Sequence, residues 1–249
     1  MYNLIIAVAA GVGTFFGINA WLGIWWQALA PAIIALPGVY VYLSRRSWKQ
    51  LENTIRDSYK ILEPLSQRVD LAQNKHRRNT LIDEAIKRLK EGYNLASWQF
   101  MVKSQIDAHI GVLLFRDKQD TSAALPYLEK SFKRNWLAQA MLAIIYMKKH
   151  KPEKMEETFE MAVRLSKKEA LLWNVYAYCL NKIKKREKAI EVLGRARKIL
   201  PNNQHLIENL VALQNNKKMR MKVFNEQWYQ FHLEKPPQQR TQNPRFSRR

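Results

Sequence analysis

For its first 44 residues the chain contains no Asp, Glu, Lys or Arg. That absence excludes an ordinary soluble surface there, since roughly a quarter of a typical domain is charged. Acidic residues are scarce elsewhere too: 21 Asp and Glu stand against 42 Lys and Arg, a net charge of +21. One cysteine, Cys179, excludes an internal disulfide and agrees with a reducing compartment. No run alternates Val, Ile or Thr between hairpin turns, so the pattern holds no strand. The motifs of chemistry are missing as well. There is no G-x-S-x-G, no P-loop and no H-E-x-x-H. His76, His109, His150, His205 and His232 have no metal-ligand spacing among themselves or with Cys179. Gly11, Gly13 and Gly17 lack the strand–turn–helix context of a dinucleotide motif. Cys179, between Tyr178 and Leu180, reads as a buried structural thiol. The expectation is a binding protein rather than an enzyme, with no catalytic residues, metal or cofactor.

The uncharged stretch is long enough for two membrane spans, each needing about 20 apolar residues. Residues 2–18 and 24–43 are the expected spans, with a turn at 19–23. Trp21, Trp25 and Trp26 then belong to one interface, and Tyr2, Tyr40, Tyr42 and Trp48 to the other. Arg45, Arg46 and Lys49 follow at once, which makes that end cytoplasmic and puts the N-terminus on the same side. The segment has no basic n-region and no clear small-x-small cleavage site, which argues against a signal peptide. Gly13-x-x-x-Gly17 suits the close approach of a second helix, although glycine is also common in membrane helices without that role. Pro31 and Pro37 are tolerable in the second span if a neighbour covers the lost backbone bonds.

Beyond the hairpin, Leu51, Ile55, Ser58, Leu62, Leu65, Val69 and Ala72 make a heptad-like seam. Pro64 is expected to kink that helix or split it. A coiled-coil dimer and a helix folding back on its own chain both fit, and the second is favoured. Residues 74–80 are polar and read as a linker. Helical periodicity resumes over 81–95 with Leu81, Ala85, Leu89 and Tyr93.

The next feature is internal repetition. In the window 170–203, Trp173, Ala177, Ala189, Leu193, Ala196 and Pro201 occupy positions 4, 8, 20, 24, 27 and 32. In the window before it, 136–169, Leu142, Ala143, Tyr146, Phe159 and Ala162 occupy positions 7, 8, 11, 24 and 27. This second copy has Lys167 where the first has proline, and Met155 where it has alanine. A shorter and more degenerate copy starts near Gln105, with Ala108, Gly111, Phe115, Ala124, Leu128 and Ser131. Residues 204–233 read as a terminal pair. Small residues at 8, 20 and 27 let two helices cross closely, and the proline stops the chain before the next helix. The pattern resembles the tetratricopeptide repeat, over roughly residues 100–233. The resulting expectation is an all-α chain with a transmembrane helical hairpin (1–44), a helical stalk (45–99), a short tetratricopeptide-like α-solenoid (100–233) and a disordered basic tail (234–249).

The resemblance implies a concave groove lined by the first helix of each repeat. Its positions carry Leu137, Ala140, Ile144, Met147 and Lys148 in one copy, and Leu171, Asn174, Tyr178, Asn181 and Lys182 in the next. The lining is apolar with a basic rim. The basic residues also follow the repeat. One repeat length on, Lys148, Lys151 and Lys154 have counterparts in Lys182, Lys185 and Lys188, and Lys184, Arg186 and Lys188 in Lys218, Arg220 and Lys222. The turns of a solenoid share an edge, so this phasing predicts a basic edge there. Simple solvation, contact with an anionic membrane surface, or binding of an acidic partner each account for such an edge. RNA is disfavoured because the aromatics fall at core positions rather than among the charges. The expected function is a membrane-anchored cytoplasmic scaffold or adaptor for a protein with an acidic or amphipathic segment. Alternatives are an assembly factor docking through the hairpin, and a membrane-associated RNA- or ribosome-binding protein. A compact hairpin followed by repeats is a common bacterial design, which points to a bacterial inner membrane.

Overall fold

The structure is a computed structural model that describes residues 1–67 and 74–236. Among these residues there are eleven α-helices and no strand. The chain falls into two compact units, residues 1–166 and 167–249.

The first unit begins with α1 (Tyr2–Leu22) and α2 (Trp25–Gln67), joined by Gly23 and Ile24. Gly23 ends α1 at φ +68, a conformation glycine adopts without strain. The two helices pack antiparallel along each other. Gly11 of α1 faces Leu36 and the Ala32 carbonyl of α2, so a Cβ there would meet the Leu36 Cβ at 3.2 Å. Asn3, Ala7 and Gly11, spaced by four, are the residues of α1 that are buried. The close approach thus runs through Gly11. A Cβ at Gly13 or Gly17 would meet nothing among the described residues within 4 Å.

Both helices are long and apolar enough to cross a membrane. They are also exposed: Ile5, Phe16 and Ile34 show 61%, 64% and 71% of their surface. A soluble core helix would bury such residues. α2 does not stop at residue 43 or at Pro64. It continues through Pro31, Pro37 and Pro64 as one helix of 43 residues. Each proline removes one backbone bond, and Pro64 stands only three residues before the end.

Past residue 44, α2 packs against α3 (Lys75–Glu91), and its Leu51 and Ser58 are buried. The seam therefore folds back on its own chain. Val69 and Ala72 lie outside the described residues. The stretch 75–80, read as a linker, is the start of α3. Asn74 caps it, its side chain accepting from the Arg77 N–H at 3.2 Å. A 3-10 turn at Gly92–Ser97 leads to α4 (Val102–Arg116), followed by α5 (Thr121–Lys130), α6 (Trp136–Lys148) and α7 (Pro152–Leu165). Leu89, Ile106, Ile110, Leu113 and Leu128 are fully buried in this unit.

The second unit holds α8 (Ala170–Lys182), α9 (Arg186–Ile199), α10 (Gln204–Gln214), a 3-10 turn at Met221–Phe224 and the one-turn α11 (Glu226–Tyr229). Helices start at Trp136, Ala170 and Gln204, at the even spacing of the sequence windows. Within each of these windows the chain reverses by one device. His150, Lys184 and Asn216 adopt φ of 54°, 66° and 57°. The amide after each reaches back to a carbonyl of the helix just ended: Lys151 to Tyr146, Lys185 to Leu180 and Lys217 to Ala212. This is the Schellman closure of a helix, built here without glycine. In the last window the second helix has shrunk to the 3-10 turn and α11.

Where helices cross most closely, space is the constraint. A Cβ on Gly111 of α4 would come within 2.6 and 2.7 Å of the Leu128 side chain of α5 and 3.2 Å of its backbone nitrogen. Gly111→Ala should destabilise the protein by about 1–3 kcal/mol through overpacking. Urea unfolding followed by helical circular dichroism measures this, and an unchanged midpoint would contradict so tight a crossing.

Candidate functional site

In the second unit, α8 and the chain after α10 enclose an open groove of about 860 Å³. Its lining joins two groups of sequence-predicted residues. Tyr178 and Asn181 belong to the first-helix positions; Lys182, Lys218, Arg220 and Lys222 belong to the basic edge. Lys235 adds a fifth cation. Glu234 is the acidic residue in this lining.

Two buried asparagines position the wall that carries Lys218, Arg220 and Lys222. The Asn209 amide donates to the Asn174 Oδ1 at 2.8 Å, and the Asn209 Oδ1 accepts from the Arg220 N–H at 2.6 Å. Asn174 in turn donates to the Ala170 carbonyl at 2.9 Å. Both side chains are buried, so these bonds replace water and their loss would leave polar groups unpaired. Asn174 thus acts behind the groove and not on its surface. Asn209 escaped the sequence reading. Its signal was a polar residue among the apolar face of Leu206, Leu210 and Leu213, close to one repeat length after Asn174.

On the opposite side Tyr178 lines the groove, backed by the buried Trp228. Tyr178 meets Trp228 edge to face, with ring centroids 4.7 Å apart at 73°. The Tyr178 hydroxyl donates to one carboxylate oxygen of Glu234 at 3.1 Å, and the Trp228 indole N–H donates to the other at 3.3 Å. Glu234 was expected to open a disordered tail; instead it is half-buried and held by two donors. Residues 237–249 of that tail lie outside the described residues. Burial first, and then the Glu234 charge and its hydrogen bond, push the Tyr178 hydroxyl up to about 12. The Lys182 ammonium stands 5.8 Å from the centre of the Tyr178 ring.

The other predicted residues are placed as follows. Ala140 and Ile144 have no exposed surface, and Leu171 has 6%. Leu137 and Met147 are half-buried. Lys148, Lys151, Lys154, Lys185 and Lys188 are exposed. The Lys148 ammonium lies 5.3 Å from the Phe115 ring centre, and that of Lys154 5.8 Å from Tyr146. Arg186 is half-buried and donates to the Leu213 carbonyl at the end of α10. Arg220 stands 4.0 Å from Glu208. Cys179 is buried. Among the described residues no group of three His, Cys, Asp or Glu is arranged to hold a metal. Elsewhere, the Tyr59 hydroxyl and His109 Nδ1 lie 3.1 Å apart, and burial, then the Arg116 charge, lowers the pKa of His109.

The groove thus presents a cationic rim, and its own Glu234 takes the paired hydrogen bonds of Tyr178 and Trp228. No family model, curated protein or solved structure matches the chain.

The raised Tyr178 value sets a pH dependence. An unfolded tyrosine loses its proton near pH 10, whereas Tyr178 in the folded chain keeps it to about 12. The unfolded state then binds fewer protons, so stability falls as pH rises through that window. Tyr178→Phe should flatten the decline in melting temperature between pH 10 and 12, and an unaltered slope would mean that Tyr178 ionises freely.

Proposed function

We propose that this protein is a membrane-anchored helical-repeat scaffold of tetratricopeptide type, and that its second unit binds an acidic or amphipathic segment of a cytoplasmic protein. The observation that carries the reading is the groove. Five cations rim it, which is the charge an acidic partner segment would meet, and only the chain's own Glu234, held by Tyr178 and Trp228, opposes them within the lining. The evenly spaced helix starts, the Schellman closures and the tight Gly111 crossing support the repeat type. The exposed apolar faces of α1 and α2, followed at once by Arg45, Arg46 and Lys49, support the anchor. By the positive-inside rule the repeats and the N-terminus then lie in the cytoplasm, in a bacterium at the inner membrane. The reading is non-enzymatic. The protein brings a partner to the membrane.

One observation favours a second reading, an assembly factor that docks through its hairpin. Gly13 and Gly17 stand open, a face on which another membrane helix could approach closely. Exchange of the hairpin for an unrelated two-span anchor separates the readings, because the scaffold role survives it and the docking role does not.

Two experiments test the principal reading. With a photo-crosslinking residue at Asn181, native membranes should yield one nuclease-insensitive protein adduct, lost when Lys218 and Lys222 are changed to Glu. Recovery of RNA alone, or an adduct indifferent to those charges, would refute the groove. For the anchor, Trp21→Cys in a Cys179→Ser background should react with an impermeant thiol reagent only from outside. Reaction from the cytoplasmic face would overturn the hairpin topology.

A further inference from the structure

Past Trp48, exposed large apolar residues among the described residues are scattered singly at Leu165, Ile199, Val211 and Val223, except in one place. Trp98, Phe100 and Met101 are 44%, 57% and 43% exposed and nearly consecutive. Packing against α2, α3 or α4 could have covered them, and it does not. Met101 also takes φ 69°, a conformation that glycine or asparagine adopts more readily than a long apolar side chain. Contact with water stabilises neither feature.

The position of this segment explains its exposure. It is fastened to the base of the α1–α2 hairpin. The Asn3 N–H donates to the Trp98 carbonyl at 3.2 Å, and the Tyr2 and Trp98 rings meet edge to face at 5.3 Å. The Asn3 amide donates to Ser47 Oγ at 2.9 Å and to Gln99 Oε1 at 3.1 Å, and Ser44 Oγ donates to the same Gln99 oxygen at 3.2 Å. Asn3, Ser47 and Gln99 are buried, so the network is internal and ties three segments together. Ser44 is the last residue of the uncharged stretch and Arg45 the first charge. The apolar segment therefore sits at the level where the hairpin passes from lipid to water. A cleft of about 320 Å³ beside it is lined by Leu43, Trp98, Arg46 and Gln50, and Lys103 follows exposed. Aromatic and long apolar side chains beside Arg and Lys, at that level, are the composition of a membrane interface.

We propose that residues 98–101 are a second membrane contact, lying in the headgroup–acyl boundary of the bilayer that the hairpin enters. Phe100 and Met101 enter the acyl edge, Trp98 lies at headgroup depth beside Tyr2, and Arg46 and Lys103 face anionic headgroups. A hairpin alone leaves the first unit, which moves with it as one body, free to tilt relative to the bilayer. A contact to one side of the hairpin's base removes the freedom and sets which face of the first unit looks at the membrane. The inference rests on the hairpin's insertion in a bilayer, and its test separates the two.

The full chain, in a Cys179→Ser background, is reconstituted in mixed phosphatidylcholine–phosphatidylglycerol vesicles with an environment-sensitive fluorophore at Phe100→Cys. Met101→Cys is a second attachment point. Phe16→Cys in the hairpin and Leu165→Cys at the end of α7 are references, all four side chains being exposed. Circular dichroism confirms that each variant keeps its helix content. Residue 16 should be quenched by deeply placed nitroxide lipid and residue 165 by aqueous iodide. Residues 100 and 101 should be quenched several-fold more by shallow nitroxide lipid than by iodide. If they follow residue 165 while residue 16 stays lipid-quenched, the contact is refuted and the anchor stands. If neither lipid nor iodide reaches them, a protein covers the segment, and the proposal is equally refuted. If residue 16 also escapes lipid quenching, the anchor has failed and this inference with it.

Discussion

A helix that must reverse within a few residues has to close its final turn with a left-handed residue, and much of this architecture follows from that constraint. At His150, Lys184 and Asn216 the chain makes the reversal with side chains that carry a steric penalty there, of the order of 1 kcal/mol. Each closure satisfies helix-end carbonyls that would otherwise be orphaned. With the reversal fixed, the second helix returns beside the first. The crossing of α4 and α5 at Gly111 shows how little space remains. The lysines that follow these turns are thereby held at the surface, while Arg186 is half-buried against the Leu213 carbonyl.

The last reversal has a different consequence from the others. After Asn216 no long second helix follows among the described residues, only a 3-10 turn and one turn of helix. The freedom this leaves is removed by Asn209, whose side chain binds Asn174 on one side and the Arg220 amide on the other. Lys218, Arg220 and Lys222 consequently face Tyr178 and Lys182 across an open groove. Bringing like charges together is unfavourable by itself, and Glu234 offsets it from within.

The hairpin presents the complementary problem. Its helices expose apolar side chains over most of their length, yet at the base they exchange hydrogen bonds through Asn3, Ser44, Ser47 and Gln99. Polar groups are thus concentrated where α1 and α2 join the rest of the first unit. The hairpin is built into that unit, since α2 continues past the last apolar turn to pack against α3.

The parts of this protein that depend on neighbours within a few residues were legible from the sequence alone. Helical periodicity, the uncharged stretch, the repeat spacing and the basic residues after each turn are local patterns, because a helix repeats every 3.6 residues and caps act over three or four. Some local features still misled. Residues 75–80 are helical because Asn74 caps them despite their polarity, and α2 passes Pro64 near its end without stopping. Which small residue meets the neighbouring helix was also beyond reach, and Gly11 rather than Gly13 or Gly17 does so. Only tertiary structure decided the site. Asn174 and Asn209 lie 35 residues apart, and Tyr178 and Glu234 lie 56 apart. Their pairing is set by how whole elements pack against one another, and no periodicity within either segment encodes it.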